Sequence, residues 1–389
     1  MVGNMKRLDE FLLIIKELGV KVATDSDENT PYLVIPNTRN PKWLMPLDKK
    51  SIKKNSFLLY QASTIKGKIL KKIYESIPNI VIKILFFNNI IYLNTEKFLY
   101  DLNNKNNKYS YSFFLGTEGS DCKTTIQVSN ESKPVMYLKL TKKPNVKKLF
   151  YNENEILNSL KNTMINNKCP DVLINQEYKG WDIFATSTTK SIKSTFNNRL
   201  TNEHVDFLVE LYKNTKREPL GETSKYFSDS ICICNRYLKK NPKDIWILDI
   251  FKDTVSNLES QGISVCTSHR DFTMWNCYFN YNDIFVFDWE YASQTSLPFF
   301  DILHFIIQPA ILNDINEKNI YKELTNNTMI ERYAEKICIS IELINYFIIL
   351  YLIDIILLYD SKIKVYKAED IRVKNNRIKL LNYIMEVIQ

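Results

Sequence analysis

Asp271 and Asn276 stand five residues apart in the segment Ser268-His-Arg-Asp-Phe-Thr-Met-Trp-Asn-Cys277. Asp288 follows twelve residues after Asn276, closing the apolar run Ile284-Phe-Val-Phe. The intervening Tyr278-Phe-Asn-Tyr-Asn-Asp283 carries turn residues, so a hairpin would set Asn276 and Asp288 face to face. Phosphoryl transfer from a nucleotide needs such a set: one carboxylate to orient and deprotonate a hydroxyl, and oxygen ligands to hold Mg2+ on the phosphates. Mg2+ keeps water and phosphate oxygens in its shell, so one Asn and one Asp suffice from the protein. An Asp-x4-Asn spacing alone arises by chance in many chains. The weight comes from its order with His269, the apolar strand, Asp288 and an upstream strand lysine, Lys139.

The elements that would position these residues change character along the chain. Residues 1–108 read as a small α/β accessory unit. Met5–Leu18 has helical spacing closed by Gly19, and Tyr32–Ile35 and Trp43–Pro46 flank a turn. Ile80–Phe87 and Ile90–Leu93 read as a hairpin about Asn88-Asn89. The polar stretch 103–108 marks a boundary. Residues 109–190 are strand-rich: Tyr111–Leu115, a Gly116-Thr-Glu-Gly119-Ser120 turn, Lys123–Val128, Val135–Leu140 with Lys139 inside it, the helix Phe150–Leu160, and Trp181–Thr186. Residues 191–389 are mainly helical. A sheet-rich part joined to a helix-rich part is an α+β arrangement, with a ligand expected in a cleft between them. Lys139 lies among apolar neighbours, and a buried ammonium needs a partner.

The composition excludes several classes. Hydrophobic residues at 45% and charged residues at 25% are globular values, not disordered ones. The net charge of +8 is spread along the chain, so no nucleic-acid arm is expected. Leu343–Tyr359 is the most apolar stretch, but Asn345 and Asp354 interrupt it, which favours a buried helix over a membrane span. Seven cysteines without CxxC spacing fit reduced thiols in a cytoplasmic protein, and three histidines make a zinc cluster a poor reading. Cys232-x-Cys234 in a helical pattern points its thiols apart. The Lys-rich stretches 49–54 and 142–148 read as solvated faces, and Trp275 and Trp289 as core aromatics.

The string His269-Arg-Asp271-x4-Asn276, followed by an apolar strand and Asp288-Trp-Glu290, resembles the aminoglycoside phosphotransferase and choline kinase family, whose members share the two-lobed protein-kinase-like fold. The resemblance spans residues 109–389 and is sharpest from Ser268 to Phe305. It implies Asp271 as catalytic base, His269 as a supporting residue of the catalytic loop, and Asn276 and Asp288 as Mg2+ ligands. It also implies a loop-buttressing role for Asp301 in Pro298-Phe-Phe-Asp301-Ile-Leu-His-Phe305. By the same resemblance Lys139, with Gly116, Gly119 and Ser120, holds the phosphates of ATP or GTP, and a helix glutamate pairs with Lys139. Glu153 fits that place because Leu157 and Leu160 follow on its helix face, with Glu155 as the alternative. Glu290 reads equally as a second metal ligand or a structural acceptor. Thr273 stands where protein kinases carry Lys, and Trp289-Glu290 stands where they carry Phe-Gly. Both favour a small-molecule kinase. The glycine-poor 116–120 turn carries little weight alone.

The resemblance implies a hydroxyl-bearing small molecule as acceptor. A sugar or glycan precursor is the preferred reading, a choline- or aminoglycoside-type substrate the next, and a catalytically silent binding module the alternative from another class. Residues 1–108 could recognise a glycan acceptor, dock a partner enzyme or mediate a homo-oligomer, and the sequence leaves these open.

Overall fold

The structure is a computed structural model and describes residues 7–23, 29–47, 50–59, 65–99, 109–116, 119, 121–130, 133–363 and 367–388. The chain forms two compact units. One comprises residues 1–151 and 170–194, the other 152–169 and 195–389.

The first unit is built on α1 (Arg7–Glu17), β1 (Lys21–Ala23), β2 (Thr30–Ile35), β3 (Trp43–Pro46), α2 (Lys50–Ser56), α3 (Ile65–Ser76), α4 (Asn79–Leu85), β4 (Ile90–Asn94), β5 (Tyr109–Phe114), β6 (Thr124–Asn130) and β7 (Lys133–Thr141). Helix α5 (Pro144–Leu160) follows, its residues from Asn152 onward belonging to the second unit and its Pro144 placed in the first turn where a missing N–H costs nothing. Strands β8 (Val172–Tyr178) and β9 (Trp181–Ser187) complete the unit. Among the described residues these strands form one nine-stranded antiparallel sheet in the order β1-β4-β2-β3-β5-β6-β7-β9-β8. Strand alternation supplies both faces with apolar side chains. Tyr32, Val34 and Leu44 join the core beneath α1, where Phe11 meets Phe113 edge-on at 5.4 Å. Leu33, Ile35, Met45 and Leu47 face the other way and join Phe57, Tyr74 and Ile82 of the α2–α4 segment.

That topology corrects three expectations. Residues 1–108 do not make a separate unit: β3 pairs with β5 through Trp43↔Phe114 and Leu44↔Phe113, and the core under α1 draws on both segments. The polar stretch 103–108 that suggested a boundary lies outside the described residues. The expected hairpin at 80–93 is half right. Ile90–Asn94 is a strand, but Asn79–Leu85 is a helix that begins directly after Pro78. β4 already has β1 on one side and β2 on the other, so the β-branched run at 80–87 cannot pair with it as a hairpin. Within the Lys-rich stretch 49–54, Lys53 is buried and its ammonium donates to the Ile77 carbonyl at 2.5 Å, so this part is no solvated face. Strand β8 was not expected. It is joined to β9 through Lys179-Gly180, both at positive φ (51° and 76°), the backbone of a two-residue hairpin turn.

The second unit holds α6 (Asn202–Thr215), α7 (Lys225–Leu238), α8 (Trp246–Glu259), β10 (Cys266–Ser268), β11 (Cys277–Asn280), β12 (Asp283–Val286), β13 (Ser293–Ser296), α9 (Phe300–Leu312), α10 (Glu317–Thr325), α11 (Thr328–Ile337), α12 (Ile344–Lys362) and α13 (Ala368–Ile388). Two small antiparallel pairs, β10 with β13 and β11 with β12, carry the loops of the site. Helix α12 is long and apolar enough to cross a membrane by length and composition. Here Phe347, Ile348, Leu350 and Leu352 are fully buried, and α7, α8, α9 and α13 pack around it. It is the core helix of this unit. In α7 Cys232 is exposed and Cys234 buried, as their spacing requires. The composition's α+β arrangement is what the elements form.

Candidate active site

The segment after β10 is folded around one carboxylate. Asp301, in the first turn of α9, accepts hydrogen bonds from Ser268 Oγ, His269 N and Arg270 N, each at 2.8 Å. Hydrogen bonds to a charged group are individually worth about 1.5–3 kcal/mol, so this one side chain can hold Arg270 in its left-handed conformation (φ 62°). The Arg270 guanidinium then reaches Asp354 of α12, with Nη2 at 2.7 and 2.6 Å from the two carboxylate oxygens.

His269 is fully buried, and burial draws its pKa below the ordinary histidine value, which keeps the ring neutral. Its hydrogen bonds then fix the tautomer: Nε2–H donates to the Phe287 carbonyl at 3.0 Å and Nδ1 accepts from the Asp271 N–H at 3.3 Å. The ring lies 4.6 Å from Trp289, itself buried and donating Nε1–H to Val286 O. His269 therefore ties the 268–277 loop to the 287–290 turn and acts as a positioning residue.

Asp271 keeps 21% of its side-chain surface exposed. Both of its oxygens are oriented. Oδ2 accepts from Asn276 Nδ2 at 2.7 Å, and Oδ1 lies 3.3 Å from His304 Nε2. Asn276 Nδ2 also reaches the Asp271 carbonyl at 2.9 Å. With Nε2–H facing Asp271, His304 Nδ1 accepts from the Tyr351 hydroxyl at 3.0 Å.

The expected hairpin is present. Cys277 pairs with Val286, and the Phe287 N–H donates to the Asn276 carbonyl at 3.0 Å, so Asn276 and Asp288 flank the open end of the β11–β12 pair. Asp288 is left-handed (φ 68°, ψ 58°), a conformation that Asp tolerates better than most residues. Carboxylate oxygens of Glu153, Asp288 and Glu290 lie within 4.8 Å of one another. Asn152 anchors this corner by donating to the Glu290 and Ala292 carbonyls at 3.0 and 2.8 Å. Since Asn276 spends its amide N–H groups on Asp271, its Oδ1 is left as an acceptor. This all-oxygen set of carboxylates suits a hard divalent cation such as Mg2+, the ion that the resemblance implies.

In the first unit, Lys139 is buried mid-strand in β7, opposite Thr125 and Phe184, with its ammonium 5.9 Å from the Phe184 ring centre. Gly116 (φ 79°) ends the β5 segment, and a Cβ there would lie 2.3 Å from the Lys123 carbonyl, so only glycine fits. Arg7 donates to the Leu115 and Gly116 carbonyls. Around Gly119 nothing would meet a Cβ within 4 Å. Ser120 lies outside the described residues. Of the two candidate glutamates, Glu153 is 1% exposed and Glu155 is exposed. Glu153 belongs to the second unit and Lys139 to the first.

Sequence reading missed His304, Tyr351, the Arg270–Asp354 pair and Asn152. One signal was available: His304 stands one helical turn after Asp301 in the same motif, so both side chains return to the 268–271 loop. Tyr351 and Asp354 sit in an apolar helix 80 or more residues further on, where only tertiary packing reveals them.

No protein-family profile matches the chain, and no curated protein matches it in sequence. Solved structures do resemble it. The ADP-bound aminoglycoside phosphotransferase APH(2'')-Ib is 14% identical, covering 72% of this chain and 95% of its own, with a TM-score of 0.42. The choline kinase LicA from Streptococcus pneumoniae is 13% identical over 67% of this chain and 90% of its own, TM-score 0.45. The aminoglycoside phosphotransferase APH(3'')-Id from Streptomyces rimosus, in complex with ADP and streptomycin, is 15% identical over 59% and 89%, TM-score 0.39. At such distances the chemistry has to be read from this chain's own residues.

Proposed function

We propose that the protein is a phosphotransferase that moves the γ-phosphoryl group of ATP or GTP to a hydroxyl of a small molecule. The observation that carries this reading is Asp271: a carboxylate fixed through both oxygens, still open to solvent, beside an oxygen-rich corner formed by Asp288, Glu290 and Glu153. An acceptor O–H would donate to Asp271. As the acceptor oxygen attacks the γ-phosphorus, its proton passes to the Asp271 carboxylate, the bond from phosphorus to the β,γ-bridging oxygen breaks, and the nucleoside diphosphate leaves. Asn276 and Asp288 are the residues that would hold Mg2+, with Glu290 beside them. When bound, the ion supplies charge neutralisation on the phosphate oxygens. Lys139 and the 116–120 turn serve the nucleotide phosphates in this reading, Glu153 is the glutamate counterpart of Lys139, and Asp301 and His269 hold the loop.

A sugar or glycan precursor is the preferred acceptor, with choline-like and aminoglycoside substrates next, as in the similar solved structures. The site of action is cytoplasmic in this reading. Partner docking or self-association through the N-terminal segment accompanies it as a subsidiary proposal. The test is Mg2+-dependent nucleotide consumption against a panel of sugars, amino alcohols and aminoglycosides, with Asp271→Asn as control. Consumption with one acceptor class, abolished in the variant, is the expected result. Nucleotide binding without turnover on any acceptor would instead mark a silent binding module.

A further inference from the structure

A cavity of about 160 Å³ lies among α9, α12 and α13, its polar lining made by Gln308, Tyr359, Lys374 and Arg377 together with the carboxylates Asp360, Glu369 and Asp370, over an apolar floor that includes Ile356. A water occupies about 30 Å³ of liquid, so the space suits a phosphate or carboxylate with a small part of its carrier, not a whole oligosaccharide.

Its charges are unevenly matched. Asp360 is engaged by Lys374 at 3.4 Å and Lys240 at 3.8 Å. Glu369 is exposed and faces Arg372, and Asp370 accepts the Lys367 N–H at the start of α13. Arg377 is different. It is 2% exposed, donates Nη2–H to Gln308 Oε1 at 2.7 Å, and stacks over the Tyr359 ring at 4.1 Å. Its Nε is buried without a hydrogen-bond partner, and no carboxylate pairs with it among the described residues. Guanidinium does not deprotonate in proteins, so a buried one without a counter-charge keeps its desolvation cost until an anion arrives.

The cavity connects to the proposed base along α9. Gln308 follows His304 by one turn on the same face of α9, and His304 contacts Asp271. Burial first, and the Asp271 charge second, raise the Tyr359 phenol above its ordinary pKa, so the carboxylate's field reaches the cavity wall.

We infer that this cavity is the acceptor's anchoring subsite and that it takes an anionic group, so that the acceptor is a hydroxyl compound carrying a carboxylate or phosphate, its anion on Arg377 and its hydroxyl at Asp271. This rests on the phosphotransferase reading for the role of the hydroxyl, but not for the anion.

The experiment is calorimetric titration of the full chain, without nucleotide, with D-glucuronate, D-glucose 6-phosphate and D-glucose, for wild type, Arg377→Met and Arg377→Lys. Wild type is expected to bind at least one of the anionic probes ten-fold or more tighter than glucose. Arg377→Met should erase that preference, and Arg377→Lys should keep a weakened one. Equal binding of the three probes by wild type overturns the proposal, and so does an unchanged preference in Arg377→Met. If Arg377→Met fails to fold, the wild-type comparison and Arg377→Lys decide in its place: an undiminished preference in Arg377→Lys counts against the guanidinium fork. Turnover is assayed separately. Arg377-dependent anion binding with no turnover leaves the subsite standing and sinks the phosphotransferase, while turnover confined to neutral or cationic acceptors does the reverse.

Discussion

Asp271 and His304 stand 33 residues apart in the chain, and His304 Nε2 lies 3.3 Å from Asp271 Oδ1. The opposite edge of the imidazole meets the Tyr351 hydroxyl at 3.0 Å. The carboxylate is thus held from two sides, by Asn276 on Oδ2 and by a histidine whose own tautomer is set from the core helix α12. In the proposed reaction, a base held this way would need little reorganisation when an acceptor O–H arrives, which is the condition for efficient proton transfer.

Asp271→Asn removes the basic carboxylate but keeps a side chain of the same shape. Turnover should fall by about 10²–10⁴-fold, the range for loss of a general base. The thermal unfolding midpoint should stay close to wild type. Turnover within a few-fold of wild type would remove Asp271 from its assigned role.

In the proposed reaction His304 would act through Asp271, so its effect should fall on kcat and leave the nucleotide KM alone. His304→Phe should lose roughly ten- to a hundred-fold in kcat, since an orienting contact contributes less than the base itself. His304→Asn keeps a donor and should recover part of the loss. If both variants lower activity only in proportion to lost folded protein, measured by circular dichroism, the residue is merely structural.

The Arg270–Asp354 pair ties the 268–277 loop to α12, with both side chains mostly buried at 15% and 17% exposure. Removing one partner of a buried pair strands the other charge and costs about 3–5 kcal/mol in full burial. Residual solvent access here lowers that to about 2 kcal/mol. Arg270→Met and Asp354→Leu should each destabilise by that order, and the double variant by much less than their sum. Additive losses in urea unfolding would mean that the two charges do not depend on each other.

How much of this could be read from the sequence differs between the two units. Asp271, Asn276 and Asp288 were legible because a hairpin fixes them locally: a short turn between two apolar runs sets their spacing without reference to the rest of the chain. Asp301 came through the same motif. His304 and Asp354 were not legible, because what they touch is decided by where α9 and α12 pack. In the first unit, the periodicity found β2, β3 and β5–β7 but could not show that they share one sheet. Strand order is set by pairings such as Leu44↔Phe113, whose partners are 69 residues apart. The apolar run at 80–87 fits a strand and a helix equally well by composition, and only the occupied edges of β4 decide between them.

His204 links the site's stability to pH. The ring is fully buried against Phe272, Phe279 and Phe305, with centroids 5.9, 4.9 and 4.9 Å away. Nδ1 accepts from the Thr201 N–H at 3.1 Å, closing the capping box of α6, and Nε2 lies 3.5 Å from Cys277 Sγ. Burial pushes its pKa down to about 4, from 6.5. Between those values the unfolded chain binds a proton that the folded one does not, so stability rises with pH across the window. It is fully present above 6.5 and is lost as pH falls towards 4. A shift of this size corresponds to on the order of 3 kcal/mol. Protonation would also convert Nδ1 from acceptor to donor and break the cap. His269 is shifted in the same direction and adds to the slope. Urea unfolding at pH 7, 5.5 and 4.5 should show a progressive fall in wild type and a shallower one in His204→Gln, which keeps an acceptor but does not titrate. The same slope in both would place the acid sensitivity elsewhere.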